Sequence, residues 1–203
     1  MKLLIAMAAG VLLVSCHAKD SYKKFTGNPL LYTKTVKRLN DIVLENNFPP
    51  MIASRNYVYA SIAAYECVAA GDSSYVSLSG QIRHMPLMPK PIPGKPFDYR
   101  FAAVLAFTKV GNAVTFPEGS MMGYYDDVVK QAEEEGMPDD VLENTKAFSD
   151  TIFAAIMKWS KKDNYLQTRS SSKYTVTNVD GRWVPTPPSY SSAMEPHWME
   201  IRT

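Results

Sequence analysis

The chain has 203 residues, 46% of them hydrophobic, which is enough for one sizeable folded domain. Its 22 basic and 20 acidic side chains nearly cancel, giving a formal net charge of +2, and no run of five like charges occurs. This charge pattern excludes the basic stripe by which many proteins bind nucleic acid, so we expect no nucleic-acid partner.

The N-terminus has the pattern of a targeting segment. Met1 and Lys2 precede an apolar run, residues 3–14, that is too short for a permanent membrane span. Residues 13–16, Leu-Val-Ser-Cys, resemble the bacterial lipobox, in which the cysteine is acylated and the preceding segment is removed. The pattern predicts a signal peptide at residues 1–15 and a lipid on Cys16. The alternative is an ordinary secretory signal with a chance cysteine.

Acylation at Cys16 places the protein in the cell envelope, facing the periplasm or the outer-membrane surface, with the membrane as a partner. Several acyl chains on one residue meet the requirement for stable anchoring. Cys67 is then the remaining thiol, so no intramolecular disulfide forms. Because Cys67 lies in an apolar run without a nearby histidine, we predict a buried, inert core cysteine.

Apolar residues at a period near 3.6 predict a mainly α protein, a bundle of about five helices. A tether at residues 16–28 leads into this helical domain, residues 29–166. Asn28 is a plausible cap before Pro29, and Gly71 is a stop signal. The second helix is apolar nearly all round, which is typical of the centre of a bundle. The predicted helices are residues 29–47, 50–70, 99–116, 120–135 and 138–161.

Two irregular segments complete the organisation. Residues 80–98 form a proline-rich loop, and loops of this length are usually functional or contact another segment. Residues 167–203 form an extended, proline-rich C-terminal arm. Within it, a turn at residues 178–181 would allow residues 174–176 and 183–184 to pair as a short hairpin.

The sequence contains no set of residues that predicts catalysis, cofactor binding or metal binding. Its three histidines, His17, His84 and His197, are not at metal-ligand spacing, and no Cys-x-x-Cys occurs. A Ser-Arg pair with a histidine five or six residues later would indicate an oxyanion-binding helix. After Ser54 and Arg55 those places hold alanine and serine, so we expect Arg55 to seek an acid or a backbone carbonyl instead.

Three segments in a fixed order nevertheless resemble a known family. They are residues 49–66 (PPMIASRNYVYASIAAYE), residues 158–165 (KWSKKDNY), and residues 181–188 (GRWVPTPP) followed by 195–198 (EPHW). Together they are similar to the N-terminal half of vanadium-dependent haloperoxidases, relatives of the type 2 phosphatidic acid phosphatases. The resemblance extends over about residues 28–203 and implies a mostly helical fold.

The resemblance also implies where an active site would lie. Family members bind vanadate or phosphate through a Lys and Arg-Pro segment, a Pro-Ser-Gly-His segment and a Ser-Arg segment with a following histidine. None of these segments occurs in residues 1–203. In the family they follow the Trp-x-Pro-Thr-Pro-Pro connector, so no catalytic residue is carried over and no cofactor is expected in this chain.

Two interpretations remain open, and they leave it undecided whether the protein is an enzyme. Residues 167–203 would be a connector to a missing C-terminal catalytic half, or the chain would be a self-standing, non-catalytic binding or structural lipoprotein. The abrupt end favours the first. The second would use the Tyr- and Pro-rich surface around residues 85–96 and 174–190. Possible protein partners are accordingly a C-terminal half or further copies of the chain.

The lipobox generates a first prediction. Replacing Cys16 with alanine removes the acylated thiol and should release the protein from the membrane fraction, as measured by fractionation and immunoblotting. Cys67→Ala, which removes the other thiol, is the matched control and should leave fractionation unchanged. Membrane association that persists in the Cys16→Ala protein would argue against lipidation.

Overall fold

The computed structural model describes residues 21–177 and 179–202, and the regular secondary structure in these residues is helical. Five helices of 13 to 22 residues form the bundle, in agreement with the predicted fold class, and their ends lie within two residues of the predicted ones. Cys16 and the targeting segment lie outside the described residues. The helices are α1 Ser21–Thr26, α2 Pro29–Glu45, α3 Pro50–Gly71, α4 Tyr99–Val114, α5 Met122–Glu134, α6 Asp139–Ser160 and α7 Tyr165–Thr168.

The start of the bundle follows local capping signals. Asn28 caps α2 by accepting a hydrogen bond from the Leu30 amide at 3.0 Å, and Pro29 takes the first helical position. The six-residue helix α1 lies inside the segment predicted as a tether. Burial of Tyr22 in a core cluster shared with α5, and a hydrogen bond from the Ser21 hydroxyl to the Glu135 carbonyl, hold α1 against the bundle.

Helix α4 is the centre of the structure. Every residue from 101 to 108 is buried, and α4 contributes to both apolar clusters of the core. On one side Ala103 and Phe107 pack with α2, α3 and α6, and on the other Phe101 and Leu105 pack with α1, α5 and the start of α6. The predicted central helix, α3, is instead exposed at Val58, which is 52% accessible.

A close approach fixes the pairing of α3 with α4. A Cβ built on Gly71, at the end of α3, would lie 2.2 Å from Cγ of Tyr99, at the start of α4. Only a residue without a side chain fits there. Asp98 caps α4 by accepting hydrogen bonds from the amides of Arg100 and Phe101. Cys67 is fully buried, as predicted, and burial raises the pKa of its thiol.

The C-terminal arm forms no strands in its described residues. The predicted hairpin is therefore wrong. The Tyr174 hydroxyl donates to the Trp183 carbonyl at 3.0 Å and the two rings meet edge to face, so side chains rather than a backbone ladder close this turn. The arm ends in a short 3₁₀ turn, Trp198–Glu200. Among the described helices, none has both the length and the apolarity needed to cross a membrane.

The core generates a second prediction, on two leucines of α2. Leu39 is fully buried, whereas Leu44 is 66% exposed. Leu39→Ala should lower the free energy of unfolding by about 2–5 kcal/mol because it leaves a cavity, and Leu44→Ala should change it by less than about 0.5 kcal/mol. Urea unfolding followed by circular dichroism measures both. Similar losses in the two variants would contradict this placement of α2.

Candidate functional site

A buried carboxylate lies just beyond the end of α6. Asp163 is 2% exposed, and its Oδ2 accepts hydrogen bonds from Nε of Arg55 at 2.7 Å and from the Tyr59 hydroxyl at 2.9 Å. Its Oδ1 accepts from the Tyr165 amide at 2.9 Å. A buried charge is stable only when it is paired and hydrogen-bonded in this way. Arg55 thus has an acid as its partner, one of the two kinds of partner that the sequence predicted for it.

The last described residue of the arm joins the same cluster. Arg202 donates from Nη2 to the Tyr59 hydroxyl at 2.8 Å and from Nη1 to the Trp159 carbonyl at 3.2 Å, and its guanidinium lies 4.4 Å from the centre of the Trp159 ring. The Arg202 amide also donates to the Asp163 carbonyl at 2.9 Å. A cation is favoured at this position because the last carbonyls of α6 lack partners within the helix. Arg55, Tyr59, Trp159, Asp163 and Arg202 form what we call the Asp163 cluster.

Tyr59 connects the two arginines to the carboxylate. Its hydroxyl accepts a hydrogen bond from Arg202 while it donates one to Asp163. Burial, reinforced by the neighbouring negative charge of Asp163 and opposed by the charges of Arg202 and Arg55, raises the pKa of Tyr59 to about 12. Tyr59 therefore keeps its proton at neutral pH and can serve as donor and acceptor at once.

A cavity of about 370 Å³ opens beside the cluster. Its wall combines the cluster with apolar side chains, among them Val58, Ile82 and Met199. A second opening of about 320 Å³ adjoins it, where Arg83 and Lys162 line the rim together with Asp163 and Arg202. Charged and apolar surface thus lie side by side at this end of the bundle.

The donors of this cluster do not fit a vanadate or phosphate site. Such a site needs several cationic donors converging on one anion. Nε of Arg55 is directed at the Asp163 carboxylate, and both terminal nitrogens of Arg202 are bonded to protein oxygens. No group of three or more histidine, cysteine or acidic side chains in the described residues is placed to hold a metal ion.

The two described histidines are not brought together. His84 lines the smaller opening, whereas His197 bonds through Nδ1 to Glu200 at 2.6 Å and through Nε2 to the Ser172 carbonyl at 2.9 Å. The hydrogen bond to Glu200 raises the pKa of His197 the most, and the bond to the Ser172 carbonyl raises it further. His197 therefore links two parts of the arm, residues 172 and 200. His17 and the predicted lipidation residue Cys16 lie outside the described residues.

The comparison with known proteins agrees with the helical fold. The chain is similar to the crystal structure of a bacterial vanadium-dependent iodoperoxidase, with a TM-score of 0.79 and 35% identity. The match covers 86% of this chain and 42% of that chain. The chain is similar to vanadium-dependent haloperoxidases. No family model and no curated protein matches it.

The resemblance stated from the sequence motifs is thereby confirmed at the level of the haloperoxidase superfamily. The motif segment 158–165 contributes Trp159 and Asp163 of the cluster, and the segment 49–66 contributes Arg55 and Tyr59. Motif matching indicated that these segments belong together but not why. Arg55 and Asp163 are separated by 108 positions, so no local pattern could have paired them.

The Asp163 cluster of this haloperoxidase-like chain generates a third prediction. Asp163→Asn keeps the shape of the side chain but leaves the largely buried Arg55 without its counter-charge, so the free energy of unfolding should fall by about 3–5 kcal/mol. Asp41→Asn is the matched control, because Asp41 pairs with Lys37 on the surface of α2. It should cost less than about 1 kcal/mol. Urea unfolding measures both, and equal losses would contradict a stabilising role for the cluster.

Proposed function

We propose that this chain is the helical scaffold of a haloperoxidase-like lipoprotein of the cell envelope, whose oxyanion site is formed by polypeptide other than residues 1–203. The observation that carries the proposal is the extent of the similarity, 35% identity over 86% of this chain but only 42% of the iodoperoxidase chain. The chain spans less than half the length of that enzyme. The activity of a whole protein containing it is accordingly part of the proposal.

The absence of a convergent oxyanion site in the described residues supports a scaffold role. Arg55 is bonded to the Asp163 carboxylate, and Arg202 is bonded to the Trp159 carbonyl and the Tyr59 hydroxyl, so Arg202 holds the arm to α3 and α6. Chemistry on vanadate or phosphate would need other cationic groups. In the resemblance, these are the Lys, Arg and His residues of the three missing segments.

Exposed apolar surface next to the cluster supports contact with further polypeptide. Met199 is 88% exposed and Val58 is 52% exposed, and both line the same cavity. Leu87, in the proline-rich loop, is 87% exposed. Apolar surface of this kind is common at protein interfaces. We assign the face around Val58 and Met199 to contact with the part that carries the oxyanion site.

The reaction we propose for the whole protein is oxidation of a halide by hydrogen peroxide, with iodide as the first substrate to test because the similar structure is an iodoperoxidase. Phosphomonoester hydrolysis is the alternative, since the same kind of site binds phosphate in related phosphatases. The lipid on Cys16 would keep either activity at a membrane surface.

A fourth prediction tests whether the oxyanion site lies outside residues 1–203. Residues 16–203, supplied with vanadate, hydrogen peroxide and iodide, should form no triiodide above a protein-free control, and should hydrolyse no phosphomonoester. A protein translated through an in-frame continuation beyond codon 203 that carries the Lys…Arg-Pro, Ser-Gly-His and Ser-Arg…His segments should turn over iodide only when vanadate is present.

Two results would contradict the proposal. Vanadate-dependent turnover by residues 16–203 alone would place an active site in this chain and overturn the proposal. A longer protein that is folded by circular dichroism but inactive toward iodide and phosphomonoesters would overturn the proposed reaction. Titration of vanadate into residues 16–203, followed by ⁵¹V nuclear magnetic resonance, should show no line broadening.

A further inference from the structure

A second cavity, lined almost entirely by apolar surface, lies away from the Asp163 cluster. Its volume is about 560 Å³, within the range of about 300–1,000 Å³ common for small-molecule sites. It runs between the junction of α1 with α2, the middle of α3 and the start of α4. Tyr32, Tyr65, Val68, Leu78 and Ala103 are among its lining residues. We call it the α3–α4 groove.

One side chain in the lining of the groove is charged. Arg100 is exposed, and its guanidinium lies 5.5 Å from the centre of the Tyr99 ring. No carboxylate of the described residues forms an ion pair with it. Asp72 is only weakly affected by its charge, because the pKa of Asp72 is lowered mainly by hydrogen bonds from Ser74 and least by Arg100. Among the described residues the guanidinium thus has no hydrogen-bond acceptor, and it can offer donors at the groove.

The backbone at the α1–α2 junction makes room for this guanidinium. A Cβ on Gly27 would lie 3.0 Å from Nη1 of Arg100 and 2.7 Å from the Lys23 carbonyl oxygen. Glycine at this position thus lets Arg100 lie against the end of the groove. A side chain there would displace the cation from the apolar lining.

Three other polar groups along the groove already have partners. The Thr26 hydroxyl donates to Asp98 at 2.6 Å, the Asn28 side chain caps α2, and the Tyr65 hydroxyl donates to the Val76 carbonyl at 2.9 Å. A ligand that needs many hydrogen bonds, such as an extended peptide, would find few. A ligand with a long apolar chain and one anionic end matches the lining.

We propose that the α3–α4 groove binds a long-chain fatty acid, with the alkyl chain along Val68, Leu78 and Ala103 and the carboxylate bonded to Arg100. Burial of the chain supplies affinity. A guanidinium holds a carboxylate through two parallel N–H···O bonds, which sets the orientation. This site is independent of any oxyanion chemistry and does not rest on the proposed scaffold function.

The test is displacement of a fluorescent fatty-acid probe from the full chain carrying Cys16→Ser, expressed in the cytoplasm and purified without detergent. Hexadecanoate should displace the probe saturably below its micelle concentration. Arg100→Gln should weaken the binding of hexadecanoate about tenfold. It should leave unchanged the binding of hexadecanol, which has the same chain without a charge. Arg83→Gln, which removes an exposed arginine outside the groove, is the control and should weaken the binding of neither ligand.

A second variant tests the position of the chain. Ser61 is exposed on α3 and lines the groove, so Ser61→Trp should fill it without disturbing the core and abolish binding of both ligands. Circular dichroism and the midpoint of thermal unfolding verify that each variant is folded. The proposal is overturned by absence of saturable displacement, by equal hexadecanoate affinity in Arg100→Gln and Arg83→Gln, or by binding retained in Ser61→Trp.

Discussion

Asp163 joins α3, the end of α6 and the C-terminal arm, three parts of the molecule that are far apart in sequence. Its side chain binds Arg55 and Tyr59 of α3, it follows α6 directly, and its backbone carbonyl accepts from the Arg202 amide of the arm. A buried charge penalises any arrangement that leaves it without donors. The packing of α3 against α6 and the position of the arm are therefore coupled, because each supplies bonds to the same residue or to its neighbour Tyr59.

Local signals in the sequence predicted the five long helices well. The features that the sequence did not predict depend on contacts between distant residues. Asn28 caps α2 as expected because a side chain and an amide two residues apart need no tertiary information. Helix α1 was missed because its six residues carry two lysines and its helicity depends on burying Tyr22 against elements more than a hundred positions away. For Arg55 the sequence predicted an acid or a backbone carbonyl as partner and could not identify Asp163, which is 108 positions away.

The α3–α4 groove and the cavity beside the Asp163 cluster are both lined by α3 and differ in chemistry. Ile62 of α3 lines both of them. In the cavity the wall carries the paired charges of the Asp163 cluster and leads to exposed apolar surface, which suits contact with protein. In the groove the wall is apolar with a single arginine, which suits a small amphipathic anion. Similarity to haloperoxidases relates to the fold as a whole and does not distinguish between the two surfaces.

The contact between Gly71 and Tyr99 has an evolutionary consequence. Because the ring occupies the space where a β-carbon would stand, the two positions cannot vary independently. A lineage that acquires alanine at position 71 would need a smaller residue at position 99, or a wider separation of α3 from α4. Pairwise covariation between these two positions, with glycine at 71 accompanying an aromatic residue at 99, is the pattern that this packing would leave in related sequences.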